Sequence, residues 1–134
     1  MNVFLFNMIF SVLLALGSGS TVSGTNDEIT NLIKEAMLNA DAGQLAQLFG
    51  ETVEISFDGE KSDYSRTQAE FVMRDFFQKN TPNDFKYIHK GVSKNGIQYA
   101  IAEYNSPRQS YRVYMLVKKK PAGYFIDTID ITRK

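Results

Sequence analysis

Hydrophobic and polar positions along the chain first repeat with helical period and then, from Phe85 onward, alternate. Ile29, Leu32, Ile33, Ala36, Met37 and Ala40 recur at three and four, with Lys34, Glu35 and Asn39 off that face, which predicts an amphipathic helix. Thr25-Asn26-Asp27-Glu28 precedes it with the spacing of a capping box, in which two side chains satisfy each other's free amides. A second, short helix carries Leu45, Leu48 and Phe49, with Asp41 placed to cap it and Gly50 placed to end it. Thr52 to Phe57 alternates, Val53, Ile55 and Phe57 against Glu54 and Ser56, and reads as a strand closed by the turn Asp58-Gly59. Ser65 and Gln68 repeat the capping-box spacing. They open a third helix with Ala69, Val72, Met73, Phe76 and Phe77 on one face, which Asn80-Thr81-Pro82 stops. A bulky stripe at that spacing reads as core rather than as a cofactor box.

Four strands follow, at about Phe85 to Lys94, Ile97 to Asn105, Ser110 to Lys118 and Tyr124 to Thr132. Asn95-Gly96 signals a two-residue hairpin loop, and Asn105 to Arg108 and Lys120 to Gly123 mark the other turns. A two-residue loop sets Val92 opposite Tyr99, Lys90 opposite Ile101 and Ile88 opposite Glu103. Four-residue loops then pair Glu103 with Arg112, Tyr114 with Asp127 and Leu116 with Phe125. One side of the predicted sheet carries Ile88, Val92, Tyr99, Ile101, Glu103, Arg112, Tyr114, Leu116, Phe125, Asp127 and Ile129. The other carries Tyr87, His89, Ala100, Ala102, Tyr104, Tyr111, Val113, Met115, Val117, Tyr124 and Ile126. Neither is a plain solvent face, so something is expected to cover both: the helices on one side, and a dimer interface or partner on the other. A single bulge would exchange members of the two sets.

The first twenty-four residues stand apart. Val3 to Leu16 is apolar apart from Asn7 and Ser11 and is followed by the small-residue stretch Gly17 to Gly24, the pattern of a secretory signal (residues 1–24) ahead of one domain (residues 25–134). The run is short for a membrane span. No Lys or Arg precedes it, so either the signal is atypical or the true start lies upstream; the rival reading is a hydrophobic first helix of the domain. A periplasmic or secreted location is therefore expected, with membrane contact only through this segment. The remainder, roughly 110 residues, is long enough to bury one core. Fifteen basic and fifteen acidic side chains cancel, which leaves no global field for nucleic acid. The absence of cysteine excludes disulfides, cysteine nucleophiles and lipoprotein-type attachment.

Candidate chemistry is confined to the first sheet face. Tyr99, Glu103, Arg112, Tyr114 and Asp127 among aliphatics have the composition of a ligand-binding pocket, apolar walls with a few converging polar groups. In such a pocket a carboxylate can act as a general base while a tyrosine hydroxyl donates to an oxyanion, as in a small hydrolase, isomerase or dehydratase. The plainer alternative is a Glu103–Arg112 cross-strand ion pair and an Asp127–Tyr114 hydrogen bond. His89 is the single histidine, so a histidine-rich metal site is excluded. Asp127 and Asp130, three apart on one strand, are expected to point to opposite faces. No phosphate-cradling loop, nucleophile elbow or calcium-loop spacing occurs. No catalytic residue, metal or cofactor is assigned.

Two helices, a strand, a long helix and a four-stranded meander is an order similar to that of the cone-shaped nuclear transport factor 2-like (ketosteroid-isomerase-like, cystatin-like) α+β fold. More narrowly, YSRTQAEFVMRDFFQKN (Tyr64 to Asn80), FKYIHKGVSKNGIQYAIAEY (Phe85 to Tyr104) and YRVYMLVKK (Tyr111 to Lys119) resemble a family of small exported Bacteroidota proteins, domain of unknown function 4783, over about residues 26 to 132. The resemblance implies N-terminal helices packed on a curved antiparallel sheet, an opening at the wide end of the cone and dimerisation through the sheet. Isomerase-like members place an acidic base and a Tyr or Asp donor in the cone. No residue here matches that set one for one, so activity is not carried over. The resulting expectation is a non-catalytic module that binds a small molecule or an envelope protein, with a homodimer through the free sheet face.

Overall fold

Three helices lie on one side of a six-stranded sheet. The computed structural model describes residues 26–134; the predicted signal segment, and Thr25 of the first capping box, lie outside them. The elements are α1 (Asn26–Leu38), α2 (Ala42–Gln47), β1 (Phe49–Phe57), β2 (Glu60–Ser65), α3 (Arg66–Lys79), β3 (Asp84–Val92), β4 (Gln98–Asn105), β5 (Ser110–Lys120) and β6 (Gly123–Arg133). The strand order is β2-β1-β6-β5-β4-β3. All neighbours are antiparallel except β1 and β6, which run parallel, so the sheet is mixed rather than purely antiparallel.

The local signals account for the helices. The Asp41 side chain accepts from the Gln44 amide at the start of α2. Ser65 and Gln68 form a complete capping box on α3. Gly50, by contrast, does not end α2. The cap is Leu48, whose carbonyl accepts from the Ile126 amide at 2.7 Å, so β6 captures the backbone and β1 begins at Phe49. Arg66 then fixes that strand start by donating to the Phe49 carbonyl at 3.1 and 3.3 Å.

β2 carries no apolar alternation (EKSDYS) and is absent from the sequence reading; it forms because Asp58 and Gly59 both take positive φ, 52° and 89°, and turn the chain straight back on β1. Its exposed, charged side chains suit a sheet edge.

Two registers differ from expectation. Asn95-Gly96 is not a two-residue loop. Only Gly96 has positive φ, Ser93 and Ile97 close a longer connection, and Gly91 rather than Val92 lies opposite Tyr99. The same one-residue shift places His89 opposite Ile101, and a bulge at Ile88 then adds a second step that places Lys86 opposite Glu103. β5 and β6 meet in a two-residue turn at Pro121-Ala122 rather than a four-residue loop, and a bulge at Asp127 adds one further step, so Leu116 lies opposite Thr128 and Tyr114 opposite Asp130 in place of the expected Phe125 and Asp127 partners. Ile129 consequently turns into the core, where it is fully buried. The β4–β5 register, Glu103 opposite Arg112, is as read from the sequence.

The core lies between helices and sheet. Ile33, Met37, Leu45, Met73 and Phe77 from the helices meet Phe85, Ala100, Ala102, Tyr104, Val113, Met115, Ile126, Ile129 and Ile131 from the strands. Tyr87 ties β3 to α1 by donating to the Thr30 carbonyl at 2.7 Å, and burial pushes its hydroxyl pKa upward. No helix among the described residues is long and apolar enough to cross a membrane.

Candidate functional site

All five predicted site residues reach one face, and it is the face without helices. β4 and β5 alternate, so Ala100, Ala102, Val113 and Met115 point into the core while Tyr99, Ile101, Arg112, Tyr114 and Leu116 point away from it. Tyr99 and Tyr114 stack with centroids 6.4 Å apart and planes 26° apart. The Tyr99 ring lies across Gly91, where a Cβ would come within 2.6 Å of its hydroxyl, so any larger residue there would have to push the ring aside. The Tyr99 hydroxyl also lies 3.0 Å from His89 Nε2. The expected two-residue loop puts His89 on the opposite face, and the longer connection from Ser93 to Ile97 is what moves it.

The carboxylates are ion-paired around this centre. Glu103 accepts from Lys134 Nζ at 2.5 Å. That hydrogen bond lowers its pKa, helped by the charges of Lys134, Lys86 and Arg112. Arg112 lies directly across from Glu103 but makes no ion pair with it within 4 Å. Asp127 pairs with Lys118 at 3.4 Å and accepts from Thr128, rather than from Tyr114. Asp130 lines a 410 Å³ hollow on this same face with Arg112, Tyr114 and Thr132, so the bulge brings Asp127 and Asp130 to one face instead of two. Both carboxylates are half-buried, and each is held by one lysine, Glu103 by Lys134 and Asp127 by Lys118. Among the described residues no group of three or more His, Asp or Glu side chains could hold a metal ion.

The helix-covered side has its own polar centre, which the sequence reading missed. Phe76 packs against Tyr111, Tyr104, Phe57 and Phe77 at 5.1, 5.2, 5.6 and 6.1 Å between centroids. These rings occupy the space beneath the end of α3. Asn80, the cap of α3, is their polar anchor: its carbonyl accepts from the Tyr104 hydroxyl, its Oδ1 from the Tyr111 hydroxyl at 2.8 Å, and its Nδ2 donates to the Phe76 carbonyl. Burial, and then the neighbouring Tyr111, raises the Tyr104 pKa. The available signal was an Asn-Thr-Pro helix stop following an aromatic stripe, which marks a terminus without naming its partners.

The β1–β2 turn is clasped to β6. Arg133 donates to Asp58 through its amide and its Nε, each at 2.9 Å, and these bonds, the amide first, lower the Asp58 pKa. A depressed carboxyl contributes stability that is complete above its unfolded value of about 3.9 and fades as pH falls through the folded value. Thermal melts from neutral pH down to about pH 2 should therefore show the wild type losing stability below about pH 4. Asp58→Asn, which keeps the left-handed turn, should start lower and fall less over that range; parallel curves for the two proteins would remove the clasp's role.

Comparison with known proteins places this geometry. A family model, Domain of unknown function (DUF4783), matches residues 30–132. The crystal structure of a DUF4783 family protein from Bacteroides ovatus ATCC 8483 is similar with a TM-score of 0.72 at 23% identity, over 77% of this chain and 93% of that one. One from Bacteroides uniformis ATCC 8492 gives 0.74 at 19% identity, over 79% and 97%. An NTF-2 like protein of unknown function from Silicibacter pomeroyi DSS-3 gives 0.61 at 14% identity, over 81% and 92%. No protein of curated function matches the chain. At these identities the structural likeness is one of fold, that of the nuclear transport factor 2-like and cystatin-like domains.

Proposed function

Because the chain belongs to the domain of unknown function family DUF4783, a membership that carries a fold and no activity, we propose from its geometry that it is a non-catalytic binding module. It docks its helix-free sheet face on a protein surface, and the first partner is a second copy of itself. The observation that carries this is the make-up of that face. Tyr99, Ile101, Tyr114 and Leu116 form an aromatic and aliphatic centre, and Lys134–Glu103, Lys118–Asp127 and Arg112 stand around it. An apolar centre with a polar rim is the usual anatomy of a protein interface, and tyrosine is enriched at its strongest positions.

Size and charge agree with this. Six strands at ~4.8 Å spacing, with about 3.3 Å per residue, give a footprint on the order of 700 Å², close to the roughly 800 Å² per partner of a standard interface. Both signs of charge are present on the face, so two copies related by a two-fold axis can oppose unlike charges. The apolar run at residues 3–16 and the small residues after it support export as the setting.

Sedimentation velocity of the exported form from ~1 to ~100 µM tests the reading, with dimer expected in the micromolar range. The intact mass of the same sample reports whether residues 1–24 have been removed. Tyr114→Glu should weaken the dimer roughly thirtyfold or more, the effect of losing an aromatic hot spot, with an unchanged circular dichroism spectrum. A folded wild type that stays monomeric throughout would sink the proposal.

A further inference from the structure

A groove on the outer flank of α3 joins two hollows of opposite character. One, of about 400 Å³, is walled by Phe57, Phe71 and Phe76; the other, of about 460 Å³, by Lys79, Arg108 and Arg133. Lys79 and Asn80 line both and form the saddle between them. Each volume falls in the range of clefts that hold small ligands.

We propose that this groove binds a free amphipathic organic anion of the long-chain carboxylate class, its tail along the phenylalanines and its head among the three cations. Phe71 is 63% exposed, the most exposed large hydrophobic side chain among the described residues. It is not an isolated surface ring, since it shares a wall with Phe57 and Phe76. The charges select the sign of the ligand. Lys79 and Arg133 are paired with Asp75 at 3.0 Å and Asp58 at 2.9 Å, whereas Arg108 has no carboxylate partner among the described residues. An incoming carboxylate meets an unneutralised guanidinium without displacing an internal ion pair, whereas a cationic head finds Asp75 and Asp58 already engaged by Lys79 and Arg133.

The groove is also held in shape before a ligand arrives. Asn80 is fixed by Tyr104, Tyr111 and the Phe76 carbonyl. The turn that carries Arg108 is closed by reciprocal bonds between Ser106 and Gln109 at 2.8 to 3.2 Å, and Arg133 is held by Asp58. Pre-ordered walls reduce the entropy lost on binding.

Isothermal titration calorimetry with dodecanoate below its micellar concentration tests this, with acetate and dodecyltrimethylammonium as head-only and inverted-charge probes. Dodecanoate is expected to bind at least tenfold more tightly than either. Arg108→Glu and Phe71→Gln, both at exposed positions, should each weaken it at least tenfold without changing the melting temperature. Absence of dodecanoate binding, equal binding of the ammonium probe, or indifference to both substitutions would overturn the assignment. So would tighter association with phosphatidylglycerol vesicles than with free dodecanoate, which would make the groove a membrane contact. None of these outcomes bears on the sheet face, because Arg108 and Phe71 lie outside it.

Discussion

Phe76→Ala is expected to lower the unfolding free energy by about 3–5 kcal/mol, the usual cost of truncating a buried phenylalanine. The ring is 6% exposed and is the one that touches Phe57, Phe77, Tyr104 and Tyr111 together. Its removal opens a cavity beneath the end of α3, and the Asn80 bonds keep the surrounding tyrosines from collapsing into it. Against a total stability on the order of 5–15 kcal/mol, that loss decides whether the domain stays folded at physiological temperature. Urea unfolding followed by circular dichroism should show the midpoint falling by roughly 2 M with an unchanged slope. The companion Phe71→Ala, on the exposed side of the same helix, should change stability by no more than ~0.5 kcal/mol. Similar losses for the two variants would mean that the aromatic cluster is not the keystone of the helix-covered side.

The second large effect tests the β6 bulge. Ile129→Ala should cost about 2–5 kcal/mol, and Thr128→Ala less than about 1 kcal/mol. The reason is that the extra residue at Asp127 turns Ile129 into the core opposite Met115 and leaves Thr128 outside opposite Leu116. Regular alternation from Phe125 through Asp127 would place Ile129 on the open face and reverse the ranking. Chemical denaturation of the two variants side by side distinguishes the registers. A larger loss for Thr128→Ala would also move Asp130 away from Arg112 and Tyr114.

These two residues show what the sequence can carry. The helices were legible because capping side chains and apolar stripes act within a few residues of each other: Asp41 with Gln44, Ser65 with Gln68, Ala69 with Met73 and Phe76. The face shared by Tyr99, Glu103, Arg112 and Tyr114 was legible too, because β4 and β5 run without interruption across an ordinary turn. What failed were the lengths of two hairpin loops and the two bulges. Ile88 and Asp127 each shift a register by one, and neither carries a side chain that announces a bulge. β2 was invisible for a different reason: in an edge strand where Tyr64 alone is half-buried, no burial alternates to pattern it. The five site residues lie together on the face turned away from the helices. Composition cannot say which face the helices cover, and the direction of Ala100, Ala102, Val113 and Met115 decides it.

The place of β6 between β1 and β5 has a consequence for how the chain matures. Within the sheet the β1–β2 hairpin reaches the β3–β4–β5 meander through no other strand, so the six strands join only when residues 123–133 are in place. Without them the two ribbons are linked by the helices alone, α3 on β1 and α1 on β3. β6 is thus the zipper that closes one continuous sheet.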